Sequence, residues 1–353
     1  MVDRDLTANH PLLEVDGIKT YFYTVDGVAR AVDDVSFDLN RGETLGLVGE
    51  SGCGKSVTAL SIMRLLKAPL GRTIQGEIRF HGQDLLRLSA PRMREIRGGK
   101  IAMIFQEPMT SLNPVYTIGD QIAEALMAHR VMAPQEALER AVGMLEKVQM
   151  PSPIKRAEEY PHQLSGGMRQ RAMIAMALSC APEILIADEP TTALDVTIQA
   201  QIIDLMTELK KDSNTAILMI THDLGVIAET ARRVAVMYAG KIVEQADVFS
   251  VFEDPKHPYT RGLLASVPRL GERSIGGRRR LREVKGIVPS LYDLPTGCSF
   301  HPRCTEAMDI CLKKRPELLN VGDVHRVRCW LYPNRAAVAA EDNRPSLPKG
   351  PGI

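Results

Sequence analysis

Apolar and polar residues alternate along the first part of the chain in a way that is typical of β-strands. The alternation covers residues 12–23 and 29–39, and a turn at 25–27 separates the two runs. A short, continuously apolar run follows at residues 44–48, and another strand-like segment covers residues 76–82. Because a tight turn joins the first two runs, we expect them to pair as an antiparallel edge beside the strand at 44–48.

The middle of the chain changes to the spacing of helices. Residues 118–148 carry apolar side chains at helical intervals, and Pro134 marks the start of a second helix within them. A long helix is predicted over residues 165–180. Since a buried strand at residues 100–105 precedes these segments, the pattern predicts a helical insert over about 107–180.

Strands and helices alternate again after this insert. The pattern predicts a strand at 183–187, a helix at 196–211, and strands at 216–220, 234–238 and 241–244. Repeated β–α units around buried strands imply a largely parallel sheet that is covered on both faces. We therefore expect an α/β fold.

A change of composition near residue 267 divides the chain. We expect one large domain over residues 1–266 and a linker rich in Pro, Gly and Arg over residues 267–284. A small Cys-rich domain is expected over residues 285–335, and a disordered tail over residues 336–353.

The overall composition is that of an ordinary globular protein. Of the 353 residues, 44% are hydrophobic and 25% are charged, and the formal net charge is +1. Such a small net charge provides no basic field that would attract nucleic acid, which argues against a DNA-binding ATPase. No apolar run approaches the roughly 18 residues of a membrane-spanning helix, and the N-terminus does not resemble a signal peptide, so we expect a cytoplasmic chain.

A phosphate-binding loop of the form G-x-x-x-x-G-K-[ST] follows the apolar run at 44–48. Its glycines allow the backbone N–H groups to point inward, Lys55 adds a positive charge, and the hydroxyl of Ser56 is a ligand for Mg²⁺. Cys53 occupies a free position of the motif. The residues predicted to bind a nucleotide here are Gly49, Glu50, Ser51, Gly52, Cys53, Gly54, Lys55, Ser56 and Val57.

Two carboxylates end the buried strand at 183–187. We expect Asp188 to hold Mg²⁺ through water at the tip of this strand, beside the phosphate-binding loop. Glu189 is the candidate base that orients and polarises an attacking water. Four apolar residues precede the pair, which favours a functional site over an ordinary surface Asp-Glu pair.

A Ser-Gly-Gly turn at Ser165, Gly166 and Gly167 opens the helix predicted to follow it. The turn makes backbone N–H groups and the positive end of the helix dipole available to an anion. It lies 116 residues after Gly49. Together with the phosphate-binding loop and the carboxylate pair, it resembles the signature of the ATP-binding cassette (ABC) family.

This resemblance extends over most of the chain. Residues 12–266 are similar to a P-loop ABC ATPase, and the C-terminal part resembles the extension of the D-type subunits of dipeptide/oligopeptide permeases. The run His-Pro-Tyr-Thr at residues 257–260 matches the junction of that extension. Nothing in the chemistry of this run suggests catalysis, so we interpret it as a structural bridge.

The resemblance assigns roles to further residues of the ATP site. Gln106 matches the glutamine whose amide reaches Mg²⁺ and the attacking water. His222 matches the histidine that contacts the γ-phosphate and helps to hold the catalytic geometry. With Lys55 and Glu189, these two residues form the expected catalytic set.

Other implied roles concern the adenine and a second subunit. Among Tyr21, Phe22 and Tyr23, the spacing favours Phe22 for stacking on adenine, and packing in the core is the alternative. Asp195 matches the D-loop, which crosses a dimer interface in this family. The Ser-Gly-Gly turn would serve the ATP that is bound to the partner subunit.

The resemblance implies an ATPase that powers the import of di- or oligopeptides. Its expected partners are a homologous F-type ATPase subunit, two membrane permeases and an extracytoplasmic peptide-binding protein, with the chain lying peripherally on the cytoplasmic face of the inner membrane. The alternatives are an importer of nickel or another small solute, and a soluble ABC ATPase that acts on nucleic acid or ribosomes. The single cassette and the short spacing between its motifs argue against the soluble ATPase.

Four of the six cysteines, Cys298, Cys304, Cys311 and Cys329, lie within the last 56 residues. In a reducing cytosol, such a group predicts a metal site rather than disulfides. Its spacing lacks the C-x₂-C pairs of common zinc ribbons, and four thiolates suit either a [4Fe–4S] cluster or zinc. The resemblance to D-type subunits favours the cluster, and zinc or inert structural thiols are the alternatives.

Overall fold

The computed structural model of the chain describes residues 10–107, 111–192, 194–266, 284–322 and 324–332. The predicted linker at 267–284 lies outside these residues except for its last position, and the predicted tail at 336–353 lies outside them entirely. The predicted α/β fold around a phosphate-binding loop is confirmed in the described part of the chain.

The larger of two sheets has eight strands, which are β3 (Thr44–Val48), β6 (Ile101–Ile104), β7 (Ile184–Asp188), β8 (Ala216–Thr221), β9 (Arg233–Tyr238), β10 (Lys241–Asp247), β11 (Leu319–Asn320) and β12 (Arg326–Val327). They lie in the order β11-β12-β10-β9-β3-β8-β7-β6. The five strands from β9 to β6 are parallel, whereas β10 and β12 add antiparallel pairs.

The parallel strands of this sheet are buried on both faces. Every residue of β3, β6, β7 and β8 is buried, as the continuous apolar runs in the sequence predict. In a parallel sheet the carboxyl ends of neighbouring strands meet at one edge. The phosphate-binding loop after β3, His222 after β8, Asp188 at the end of β7 and Gln106 after β6 are therefore brought to the same edge.

The smaller sheet is antiparallel and contains β1 (Leu13–Thr24), β2 (Gly27–Leu39), β4 (Gly71–Phe80) and β5 (Gln83–Asp84), in the order β2-β1-β4-β5. The predicted pairing of the first two strands is observed, but their predicted place at an edge beside β3 is wrong. Both edges of β3 are occupied, by β8 and β9. The alternating strands instead bury one face against the main sheet, with Leu13, Val15 and Ile18 in the same apolar cluster as Leu45 and Leu47.

The α-helices among the described residues are α1 (Lys55–Ile62), α2 (Ala90–Ile96), α3 (Ile118–His129), α4 (Pro134–Lys147), α5 (Pro153–Ala157), α6 (Gly166–Leu178), α7 (Val196–Ser213), α8 (Leu224–Thr230), α9 (Val248–Glu253), α10 (Pro258–Ser266) and α11 (Asp309–Lys313). Four of them, α3 to α6, lie between β6 and β7, where the sequence predicts the helical insert. Thr117 caps α3 by accepting a hydrogen bond from the backbone N–H of Asp120, and Pro134 begins α4. Within the described ranges, no helix combines the length and apolar character that crossing a bilayer requires.

The C-terminal segment, residues 284–332, packs onto the main body of the protein. Its strand β12 pairs with β10, and Phe300 contacts the rings of Tyr238 and Tyr259 at centroid distances of 5.1 and 5.5 Å. Side chains of the segment that join the main apolar core are Val284, Val288, Leu291, Leu294, Cys298, Phe300 and Cys304. The prediction of a separate Cys-rich domain is therefore not supported, because the segment shares both the sheet and the core of the cassette.

A buried carboxylate, Glu244 of β10, anchors this segment. It accepts hydrogen bonds from the backbone N–H groups of Lys256 and His257 at 2.6 and 2.9 Å, and Nε2 of His325 lies 2.7 Å from its Oε1. Burial alone would raise the pKa of Glu244, but these hydrogen bonds, led by His325, outweigh it and lower the pKa. The ionised side chain thus joins β10, the residues before α10 and His325, which directly precedes β12.

Candidate active site

The phosphate-binding loop is pressed against neighbouring backbone, and this contact explains two of its glycines. A Cβ atom on Gly49 would lie 2.2 Å from the carbonyl oxygen of Met237, and one on Gly54 would lie 2.2 Å from that of Ala31. Gly54 also has a φ of 107°, in the left-handed region that other residues avoid. Only glycine fits at either position, so the loop can lead directly from β3 into the N-terminus of α1.

Lys55 and Ser56 begin α1 and connect the loop to β7. Lys55 is buried, and its Nζ donates hydrogen bonds to the carbonyl oxygens of Gly49 and Glu50 at 2.7 and 3.1 Å. The hydroxyl of Ser56 donates to Oδ1 of Asp188 at 3.0 Å. A lysine ammonium, a serine hydroxyl and the start of a helix therefore converge on the concave side of the loop, which is the arrangement that binds phosphate.

Asp188 is buried at the carboxyl end of β7, as the sequence predicts. Burial raises the pKa of Asp188 to about 6, although the hydrogen bond from Ser56 opposes this shift. A cation beside the carboxylate would replace the missing solvation and favour the ionised form. The buried carboxylate and the hydroxyl of Ser56 thus fit a site for Mg²⁺, a cation that prefers oxygen ligands.

Glu189 is the residue after Asp188, and three side chains contact its carboxylate. Its Oε2 accepts hydrogen bonds from Nε2 of Gln106 and from the hydroxyl of Thr192, both at 2.9 Å, and Nδ1 of His222 lies 3.2 Å from Oε1. Burial alone would raise the pKa of Glu189, but the hydrogen bonds from Thr192 and His222 outweigh it, so the pKa is lowered. The group is therefore ionised near neutral pH and able to accept a proton from water.

The chain turns sharply at this position. Glu189 has a φ of 47°, and its backbone N–H donates to the carbonyl oxygen of Ile220 on β8 at 2.8 Å. A non-glycine residue in the left-handed region is strained and is held there by its surroundings. Thr192 belongs to none of the motifs in the sequence, but it follows Glu189 by three residues, where a hydroxyl reaches back over a turn.

Two predicted site residues lie in the helix caps of this chain and not around Glu189. Ser165 caps α6 by accepting from the backbone N–H of Met168, and Asp195 caps α7 by accepting from that of Ile198. Ser165, Gly166 and Asp195 are exposed. These positions are accessible to a second molecule.

The three candidate adenine contacts lie in β1 and have different surroundings. The ring of Phe22 lies against Gly71, whereas the hydroxyl of Tyr21 donates to Oδ1 of Asp33 at 2.9 Å. Tyr23 is exposed. Stacking of Phe22 on adenine stays a prediction.

The four C-terminal cysteines are close neighbours. Burial raises the pKa of Cys329 to about 11, and the nearby thiols of Cys298, Cys304 and Cys311 add to the shift. The backbone N–H of Cys298 also donates to the carbonyl oxygen of Cys311 at 2.8 Å. Nevertheless, over the ranges that the structure describes, no three His, Cys, Asp or Glu side chains are arranged as a metal site.

Comparison with known proteins places this geometry in a family. Residues 32–192 match the ABC transporter family, and residues 243–311 match the C-terminal region of oligopeptide/dipeptide transporters. A probable peptide ABC transporter ATP-binding protein of Sinorhizobium fredii is 56% identical over 319 residues, which cover 90% of this chain and 94% of that protein. The oligopeptide transport ATP-binding protein AppD of Bacillus subtilis is 52% identical over 326 residues, which cover 92% of this chain and 98% of AppD.

A solved structure supports the same assignment. The dimeric structure of a bacterial ABC transporter cassette superimposes with a TM-score of 0.60 and 27% identity, over 67% of this chain and 98% of the cassette. Residues 32–192, which match the ABC transporter family, contain the phosphate-binding loop and the carboxylate pair at the same edge of a parallel sheet. The chain therefore belongs to the ABC transporter family, among the ATP-binding subunits of peptide transporters.

Proposed function

We propose that the chain is the ATPase subunit of an importer of di- or oligopeptides, in which ATP hydrolysis supplies the energy for translocation. The observation that carries the proposal is the meeting of Lys55, Asp188 and Glu189 at one edge of the parallel sheet. Relatives more than half identical over most of the chain are peptide transport proteins by name, among them a putative peptide import ATP-binding protein of Brucella abortus at 53% identity.

Each residue of the site has a separate role in ATP hydrolysis. Lys55 and the N-terminus of α1 bind the phosphates of ATP, and Glu189 accepts a proton from the water that attacks the γ-phosphorus, as ADP leaves with the bridging oxygen. Gln106 and His222, which contact Glu189 in this structure, hold the water and the γ-phosphate in line. Mg²⁺ at Ser56 and Asp188 would neutralise charge on the phosphates.

We place the other half of each ATP site on a second subunit, a homologous F-type ATPase. The turn at Ser165, Gly166 and Gly167, of which the first two residues are exposed, offers the N-terminus of α6, a helix of 13 residues, to an anion from outside the chain. Asp195 is exposed in the same way, at the start of α7. A dimer in which each turn caps the ATP of the other chain would complete both sites.

The remaining partners follow from this function. Two membrane permeases and an extracytoplasmic peptide-binding protein would carry the solute, and the ATPase would lie peripherally on the cytoplasmic face of the inner membrane. In a complex purified with these partners, we expect peptides bound by the binding protein to stimulate ATP hydrolysis. Stimulation by RNA or ribosomes, with none by peptides, would contradict the proposal and favour a soluble ABC ATPase.

A [4Fe–4S] cluster held by Cys298, Cys304, Cys311 and Cys329 is a further part of the proposal, with zinc as the alternative. The closeness of the thiols supports it. Burial raises the pKa values of Cys298, Cys304 and Cys329, the thiol of Cys311 lies near all three, and a bound cation would stabilise the thiolate forms. A bound cluster would tie together a segment that contains only short helices and strands.

Anaerobic purification tests this ligand set. We expect a brown protein with about four iron atoms per chain, and loss of both colour and iron when Cys311 is replaced by serine. The matched control is Cys180→Ser, which removes a buried thiol in the core of the cassette. A colourless protein that is folded and contains zinc would support the alternative metal, and a folded protein without either metal would reject the site.

A further inference from the structure

The second residue of the phosphate-binding loop is held by the C-terminal segment. Nη1 of Arg303 lies 2.6 Å from Oε2 of Glu50, and Nη2 lies 3.0 Å from Oε1. This is the two-pronged contact that an arginine makes with a carboxylate. The arginine side chain is 3% exposed and the glutamate side chain 28%, so the pair is largely shielded from water.

Arg303 is itself fixed by the chain around it. Its Nε donates to the carbonyl oxygen of Lys285 and its Nη2 to that of Val284, both at 3.0 Å. The guanidinium also lies over the ring of Tyr238, 5.8 Å from its centroid. A guanidinium held on so many sides presents one fixed position to Glu50.

The backbone of Glu50 has a second contact from outside the loop. Its N–H donates to the hydroxyl of Tyr259 at 2.8 Å, and Tyr259 is fully buried against Tyr238 and Phe300. Tyr259 belongs to the His-Pro-Tyr-Thr run at residues 257–260, which contains no chemistry of its own that suggests catalysis. Both the main chain and the side chain of this loop residue are therefore held by residues within 243–311, the region that matches the C-terminal part of oligopeptide/dipeptide transporters.

The contact between Arg303 and Glu50 changes the charge that a bound triphosphate would meet at the loop. An ionised carboxylate beside a phosphate-binding site repels the triphosphate, and the repulsion is strong where water is excluded. A cavity of about 390 Å³ is lined by Gly49, Glu50, His222, Val284 and Arg303, so the pair lies next to the site and not behind it. Arg303 cancels the charge of Glu50 and draws its side chain toward the C-terminal segment.

We propose that Arg303 is a positioning residue of the ATP site, which cancels the negative charge of Glu50 and holds the phosphate-binding loop in shape for the triphosphate. The proposal rests on the proposed ATPase function. It gives the C-terminal segment a direct role in nucleotide binding. Arg303 belongs to the turn at residues 301–303, which lies between Cys298 and Cys304. A structural change around these cysteines would therefore act on the phosphate-binding loop through the side chain of Arg303.

Nucleotide affinity of the full-length chain tests this role. We expect Arg303→Ala to raise the dissociation constant for a fluorescent ATP analogue about tenfold, because the carboxylate of Glu50 is left without its partner. Adding Glu50→Gln to this variant removes the charge and is expected to restore the affinity to within about threefold. Arg303→Lys, which keeps the charge, is expected to lose less than Arg303→Ala.

The matched control is Arg261→Ala, since Arg261 pairs with Glu306 at the surface of the same region and makes no described contact with the loop. It is expected to bind the analogue as the wild type does. In the purified complex, Arg303→Ala should raise KM for ATP more than it lowers kcat, because Glu189 and its partners are untouched.

Three results would overturn the role of Arg303, and a fourth would overturn the proposed ATPase function. Wild-type affinity in Arg303→Ala overturns the proposal, and so does a double variant as weak as Arg303→Ala, since removal of the charge would then be irrelevant. An equal loss in Arg261→Ala would also overturn it, by showing a general effect on the segment. If the wild-type chain bound no ATP analogue, the proposed ATPase function itself would fail.

Discussion

Replacing Glu189 by glutamine is expected to leave ATP binding intact and to lower kcat by about 10²- to 10⁴-fold. Glutamine keeps the shape of the side chain and can still contact Gln106 and His222, but it cannot accept a proton from the attacking water. Phosphate release by the complex measures kcat, and the binding of a fluorescent ATP analogue measures affinity. An affinity that stays constant while turnover disappears would separate the role of a base from that of a ligand.

The control for this variant is Glu229→Gln, which makes the same chemical change at an exposed position of α8. We expect wild-type turnover from it. Turnover of Glu189→Gln at the wild-type rate would remove Glu189 from the role of base. The candidate base would then have to be sought elsewhere at the same edge of the sheet.

The second large effect is expected from Lys55→Met, which should weaken ATP binding by roughly 100-fold or more. Methionine fills much of the space of the lysine stem but removes the ammonium, and two charge-assisted hydrogen bonds to phosphate are worth about 3 kcal/mol or more together. Lys55 is buried in the loop and its Nζ already lies among carbonyl oxygens, so the group is positioned before ATP arrives. Titration with a fluorescent ATP analogue gives the dissociation constant directly.

Lys210→Met is the matched control for the lysine. Lys210 is partly buried and donates to the hydroxyl of Thr44, at the opposite end of β3 from the phosphate-binding loop. Its loss is expected to leave the ATP affinity unchanged. Equal weakening by both variants would show that the effect comes from the stability of the sheet and not from the charge at the phosphates.

The centre of the site could be predicted from the sequence because its parts are local. Each part is a short motif at the end of a strand, and parallel strands bring such ends together whatever the details of the loops. The hydrogen bond from Ser56 to Asp188 spans 132 positions of the chain, yet it follows from two motifs that a reader of the sequence can recognise separately.

The contacts of the C-terminal segment could not be predicted in this way. Arg303 and Glu50 are 253 positions apart, and neither residue carries a pattern that indicates the other. Strands β11 and β12 have two residues each, too few for an alternation to show, so their addition to the main sheet was missed. The separate Cys-rich domain is not supported for the same reason, since composition does not reveal which core a segment joins.

The place of the first two strands was missed for a different reason. Their alternation and their turn predict that they pair with each other, and they do. The alternation cannot say which sheet they join, because that choice depends on which edges are free. Strand β3 has no free edge, as β8 and β9 occupy both, so the hairpin pairs with β4 and forms a sheet of its own.

The most direct test of whether the ATP site is shared between two chains is the rate of ATP turnover. It is measured for the wild-type chain alone and for the chain mixed with a homologous partner ATPase, and light scattering gives the molecular mass in both samples. We expect the isolated monomer to bind ATP but to hydrolyse it roughly 100-fold more slowly than the pair, because in the proposed dimer the turn at Ser165 completes the ATP site of the other chain. Full turnover by a chain that stays monomeric throughout would contradict the shared site.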